Sequence, residues 1–162
     1  MGLDKLLQAI SKRHNEITNY YESLIKMKDK KIELITNKKN VGFALANNLG
    51  IRKALNSGFD YFMLLNNDTV VEKGFLSKML NTMENNENAG VDSPIVFEYH
   101  NRGVLGKNDA PGRFNLRKGG GEPWSSNLQQ NKLKKKPFFV DYTSASCWLV
   151  RASMIKKSGF FN

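Results

Sequence analysis

Cysteine is almost missing from this chain: Cys147 is the single one among 162 residues, so no intrachain disulfide can form. That usage fits a reducing compartment, and a cytoplasmic location is expected. Histidine is nearly as scarce. His14 and His100 lie far apart without partners at metal-ligand spacing, so both are expected to be structural or solvated. No run approaches the ~20 apolar residues of a membrane span. Leu6 and Leu7 are embedded in charge, so no secretory signal peptide is expected at the N-terminus. The sequon Asn67-Asp68-Thr69 is then coincidental. Gly119-Gly120-Gly121 lacks the Lys-Ser/Thr ending of a P-loop.

Acidic residues are also in short supply, 15 against 25 Lys and Arg, which leaves a net charge of +10. Basic clusters occur at Lys26 to Lys31, at Lys38-Lys39 and at Lys132 to Lys136. Such patches bind nucleic acid, anionic lipid or polyanionic glycans. A chain this rich in Lys and Asn can equally owe them to coding bias. No helix-turn-helix, zinc-finger or RNP-type aromatic motif supports nucleic-acid recognition. A peripheral membrane contact at the inner face is the better use of the charge.

What is present is an alternation of helical and strand patterns. Leu3, Leu6, Leu7 and Ile10, continued by Ile17, Tyr21, Leu24 and Ile25, follow helical spacing. Lys31 to Thr36 reads as a short strand. A helix is expected from about Phe43 to Asn56, ended by Gly58. A strand follows around Asp60 to Asn66. The next helix, near Lys73 to Asn85, carries its core stripe on Leu76, Met79, Leu80 and Met83. Val91 to Phe97 gives another strand. From Glu98 to Pro137 the pattern dissolves into glycines interleaved with Arg102, Lys107, Arg113, Arg117 and Lys118. A structureless loop this long tends to be functional or disordered. Regular structure resumes at Phe138 and closes with a short helix, Ala152 to Lys157, capped by Gly159. This order is the signature of an α/β layered fold.

The apolar run Tyr61-Phe62-Met63-Leu64-Leu65 stops abruptly at Asn66-Asn67-Asp68. Such a run reads as a strand buried on both faces, as in a parallel sheet covered by helices. Open parallel sheets bind ligands just beyond the carboxyl ends of their strands, which is where Asp68 falls. By itself the segment reads equally as a strand followed by a turn, since Asn and Asp are common turn formers. Asn47 and Asn48 fall in the first turns of a helix, near its positive end, where amides can meet an anionic ligand. Gly50 costs roughly 1 kcal/mol in a helix interior relative to Ala, and is expected to serve backbone packing.

Asn40-Val41-Gly42-Phe43-Ala44-Leu45-Ala46-Asn47-Asn48-Leu49-Gly50, followed one strand later by Leu64-Leu65-Asn66-Asn67-Asp68-Thr69, resembles the family 2 glycosyltransferases. Val140-Asp141-Tyr142-Thr143-Ser144-Ala145-Ser146-Cys147-Trp148-Leu149-Val150-Arg151 resembles a third motif of their rhamnosyl- and galactofuranosyltransferase-like branch. The resemblance runs from about Ile32 to Asn162. Ala145 stands where that family usually has Gly, and Asn66 where a first aspartate of a D-x-D triplet could stand. The resemblance implies a GT-A, Rossmann-like fold: a mostly parallel sheet flanked by helices, forming one partial domain over residues 1–162. A long basic, glycine-rich loop spans about 98–137, a region that in the family is often a variable, hairpin-like segment on the acceptor side, where Trp124 would suit a sugar.

The implied activity is inverting transfer of a sugar, hexosyl or rhamnosyl, from a nucleoside diphosphate donor to a glycan or lipid-linked glycan acceptor, as in cell-wall or polysaccharide synthesis. The nucleotide-sugar side would be Asn40, Gly42, Asn47, Asn48, Asn66, Asn67 and Asp68. The acceptor side would be Trp124, Ser144 and Ala145. Asp68 would hold Mg²⁺ or Mn²⁺, hard cations that take one or two carboxylates plus phosphates. Asp92 and Asp141 lie near in strand order, but neither qualifies as general base, and that role stays unassigned. The family's first strands and its downstream acidic pair find no counterpart here, so an inactive, self-associating internal fragment is expected. Two alternatives remain: a non-catalytic remnant binding sugar or a partner, and a basic module binding anionic lipid or nucleic acid.

Overall fold

The computed structural model describes residues 33–100, 111–123 and 136–162, with the side chains of 122 and 123 left aside. The expected N-terminal helix, Trp124, His14 and the clusters at Lys26 to Lys31 and Lys132 to Lys135 lie outside the described residues. The chain falls into two compact units, Met1–Gly42 and Phe43–Asn162. In the first, residues 33–36 are not in a strand, and Ile35 is exposed. The expected strand at Lys31 to Thr36 is therefore absent from the part described, since apolar spacing supplies no hydrogen-bonding partner. Asn40 Oδ1 accepts the Gly42 N–H at 2.8 Å, an Asx turn, with Gly42 at φ +79°.

Helix α1 spans Gly42–Asn56 and buries Asn48 and Ile51. It ends where Gly58 adopts φ +77°, a conformation that side chains beyond Gly rarely take, and Lys53 lies in its last turn. Strand β1, Tyr61–Leu65, follows. Helix α2, Phe75–Glu84, enters through Gly74 at φ +78°. Its core face is Met79 and Met83 with Phe75 and Leu80 beside them, while Leu76 is exposed. The expected stripe is thus rotated by one residue at its start. Strand β2 is short, Val91–Asp92, not the full Val91 to Phe97.

Strands β3, Gly112–Asn115, and β4, Gly120–Pro123, form a separate antiparallel hairpin inside the segment where the sequence pattern dissolves and the family resemblance implies a hairpin-like element. No apolar alternation announces it. Its pairing rests on backbone hydrogen bonds and on glycines that let strands and neighbours approach. Strand β5, Cys147–Arg151, and helix α3, Ala152–Ser158, complete the order, with Gly159 at φ +89° after it.

The main sheet has the order β1-β5-β2, with β5 antiparallel to both neighbours. Tyr61 pairs with Arg151, Leu65 with Cys147, and Val91 with Val150. A mostly parallel sheet is therefore not what the described strands form. β1 and β2 do run the same way, but β5 is inserted between them in the opposite sense.

The side chains explain the apolar run. Met63, Cys147 and Leu149 pack with Met79 and Met83 of α2 on one face. Phe62, Leu64, Trp148 and Val150 pack with Ile51 of α1 and Ile155 of α3 on the other. Successive residues of a strand point to opposite faces, and here both faces are covered by helices, so neither can be polar. This is the α/β layering expected. An apolar run reports covered faces, and it carries no information on the direction of the neighbouring strand. Among the described residues, no helix is long and apolar enough to cross a membrane.

Candidate active site

The turn after β1 is built by local hydrogen bonds. Asn66 N–H donates to Ser146 O at 3.0 Å, which carries the β1–β5 pairing one residue further. Thr69 Oγ1 donates to Asn66 O at 2.7 Å and closes the turn across Asn67 and Asp68. Asn66, Asn67 and Asp68 are all exposed. Their backbone is secured by these bonds and their side chains are exposed.

A cleft of about 740 Å³ opens there, lined by Asn66, Asp68, Thr69, Glu98, Tyr99 and Ser146 among others. Tyr99 is 65% exposed, and its ring meets His100 edge-on at 5.2 Å between centroids. Glu98, Tyr99 and Ser146 were not legible as site residues. Because β5 runs antiparallel, its beginning, and not its end, lies beside the end of β1. The search for ligand groups at carboxyl ends of parallel strands therefore misses Ser146. Glu98 and Tyr99 enter from the segment that leaves β2, whose short extent conceals where it leads.

The other expected residues are placed as follows. Ser144 and Ser146 share a hydroxyl–hydroxyl hydrogen bond of 2.7 Å, and Ser146 N–H donates to Ser144 Oγ at 3.2 Å. Ser144 thus supports Ser146, the residue that reaches the cleft. Ala145 is half-buried between them. Asn47 donates through Nδ2 to Phe43 O, one helical turn back, at 2.8 Å. Asn48 is buried, donates through Nδ2 to Phe161 O at 2.8 Å, and accepts Phe161 N–H on Oδ1 at 3.1 Å. Both ends of its amide bond the backbone of residue 161, so Asn48 anchors the segment after α3. Expected on the nucleotide-sugar side, Asn48 here bonds the chain's own backbone. Asn40 and Gly42 belong to the first unit, in the Asx turn already described.

A second cleft, of about 620 Å³, adjoins the first, sharing Glu72, Phe75, Pro94 and Ile95 with it. Asp92 and Thr143 line it, and Thr143 Oγ1 donates to Ser93 Oγ at 3.0 Å. Burial pushes the Asp92 carboxyl above its ordinary pKa, against a smaller lowering by the Ser93 backbone. Burial also raises the Cys147 thiol, with Asp92 nearby adding to it, and Cys147 packs in the core with residues of β1 and α2. Asp141 accepts the Phe114 N–H on Oδ2 at 2.9 Å and so ties the hairpin down.

Among the described residues, no group of three or more His, Cys, Asp or Glu side chains is placed to hold a metal. The donors at the turn are the Asp68 carboxylate and the amide oxygens of Asn66 and Asn67, oxygen atoms only. That set fits a hard divalent cation that keeps waters and takes its remaining ligands from a diphosphate.

A model of the family described as glycosyl transferase family 2 matches residues 13–159. No match was found among curated proteins or among solved structures.

Proposed function

The chain belongs to glycosyltransferase family 2, and from that premise we propose that it transfers a sugar from a nucleoside diphosphate donor to a cell-surface glycan through the cleft at the end of β1. The observation that carries the reading is Asp68. It is an exposed carboxylate on a turn secured by Thr69 and Ser146, at the mouth of a cleft large enough for a nucleotide sugar.

Membership of the family implies α/β architecture and a nucleotide-sugar donor, and family members often use a divalent metal. In transfer with inversion, the acceptor oxygen forms a bond to the anomeric carbon as the bond from that carbon to the diphosphate breaks. The acceptor's proton must then leave, and negative charge develops on the diphosphate. A divalent cation, when bound, would neutralise that charge. Asp68 would hold it, with Asn66 and Asn67 offering amide oxygens. Ser146, oriented by Ser144, and Tyr99, an exposed ring, would position sugar hydroxyls and a sugar face.

Calorimetric titration with Mn²⁺ and a series of nucleoside diphosphates tests the assignment on wild type and Asp68→Ala. Loss of one charged ligand should weaken binding by about tenfold or more. Because Asp68 is exposed, the variant should unfold within about 0.5 kcal/mol of wild type. Equal nucleotide affinity in the two proteins would remove Asp68 from the site.

A further inference from the structure

The β3–β4 hairpin carries a set of side chains to which the proposed sugar transfer assigns no role. Leu116, at its turn, is 85% exposed, and Phe114 is 51% exposed. Arg113, Arg117 and Lys118 accompany them, and residues 111–121 contain no acid, Glu122 being the first. The turn is well made. Asn115 Oδ1 accepts the N–H groups of Arg117 at 3.1 Å and Lys118 at 3.2 Å, and Gly119 takes φ +66°.

The base of the hairpin is clamped as well. Gly112 N–H donates to Tyr142 O at 3.2 Å, Asp141 N–H donates to Gly112 O at 3.0 Å, and Phe114 N–H meets the Asp141 carboxylate. Gly121 lies so close to the Tyr142 ring that a Cβ there would come within 2.7 Å of Cε1. What sets this hairpin apart is that two exposed apolar side chains, Leu116 and Phe114, stand together on it among three cations.

Apolar side chains flanked by cations suit the boundary of an anionic bilayer. The apolar groups enter the headgroup region while the guanidinium and ammonium groups meet lipid phosphates. A nucleic-acid strand would find phosphate partners here and one stacking face in Phe114, but it has no use for Leu116, the more exposed of the two apolar side chains, which a bilayer takes up. We propose that the β3–β4 hairpin docks this chain on an anionic lipid surface, with Leu116 and Phe114 entering the interface and Arg113, Arg117 and Lys118 holding its phosphates.

Co-sedimentation with phosphatidylcholine vesicles, with and without phosphatidylglycerol, tests the docking. Wild type should sediment with the anionic vesicles alone, and more weakly as salt is raised. Leu116→Ser should weaken the binding by about three- to tenfold, and Arg117→Glu by on the order of tenfold. Both sites are exposed, so unchanged thermal melts should show that neither variant has unfolded. Asp68→Ala should bind vesicles like wild type, which keeps this result separate from the sugar-transfer reading. Absence of binding to phosphatidylglycerol vesicles would overturn the proposal, and so would full binding by Leu116→Ser. Binding to a single-stranded oligonucleotide with the same loss on Leu116→Ser would instead reveal a general polyanion surface, and would also overturn it.

Discussion

Two ends of the same strand pair behave in opposite ways. Where Tyr61 meets Arg151, polar groups are turned inward and consumed. Arg151 donates to Met83 O at 2.7 Å, Ala89 O at 3.2 Å and the Tyr61 hydroxyl at 2.7 Å. The Tyr61 hydroxyl donates in turn to Glu84 Oε1 at 2.6 Å, a bond that raises its pKa. The guanidinium thereby adds a second donor to the Met83 carbonyl in the last turn of α2, ties down the Ala89 carbonyl beyond it, and adds positive charge at the helix's negative end. Where Leu65 meets Cys147, the same two strands end in a turn whose backbone is bonded and whose carboxylate faces a cleft. One end closes the fold, and the other leaves its polar side chains exposed at a cleft. Strand residues therefore have to be judged by the end of the ladder they occupy as well as by type.

The contrast breaks most visibly at Arg151. Arg151→Ala should cost about 2–3 kcal/mol in chemical denaturation, because the Ala89 carbonyl and the Tyr61 hydroxyl lose their guanidinium partner and the Met83 carbonyl one of its two donors. Arg151→Lys should recover only part of that, since an ammonium lacks the planar fork that reaches several acceptors. A loss no larger than that of Asp68→Ala would mean that the two ends do not differ in kind.

Asn48 sharpens the comparison further, since it was expected beside Asp68 and is found in the interior. Asn48→Ala should cost about 1–3 kcal/mol by leaving the Phe161 N–H and carbonyl unpartnered, while changing nucleotide affinity little. A variant that keeps its stability and loses nucleotide would return Asn48 to the donor site.

The smallest effect concerns Asp92, beside the second cleft. Burial raises its folded pKa above the unfolded value, so the folded chain holds the proton more tightly. Stability should therefore fall as pH rises from the ordinary carboxylate range near about 4 through the folded pKa. Asp92→Asn should remove that slope and be the more stable protein at neutral pH, the two converging in acid. Parallel stability curves for the two proteins would show that Asp92 is not desolvated.

The helices at 42–56, 75–84 and 152–158 were legible because spacing and caps are local properties, and Gly58 and Gly159 stand where their positive φ is needed. The position of Asp68 after an apolar strand was legible for the same reason. The β3–β4 hairpin was legible only through the family resemblance, because its residues are mostly glycines, cations and two apolar side chains that stay exposed, with no buried face for periodicity to record. Arg151, read as one letter of a motif, gave no sign that it would bond two carbonyls and a phenol more than sixty residues away.

What the chain determines by itself is thus what neighbours in sequence can decide: helix spans, turn positions and the demand of Tyr61 to Leu65 for cover on both faces. Tertiary structure decided the rest. It set the direction of β5, the burial of Asn48 under residue 161, and the gathering of Glu98, Tyr99 and Ser146 around Asp68. Those depend on which segments pair across long separations, and hydrophobic periodicity records that a face is covered without recording by what.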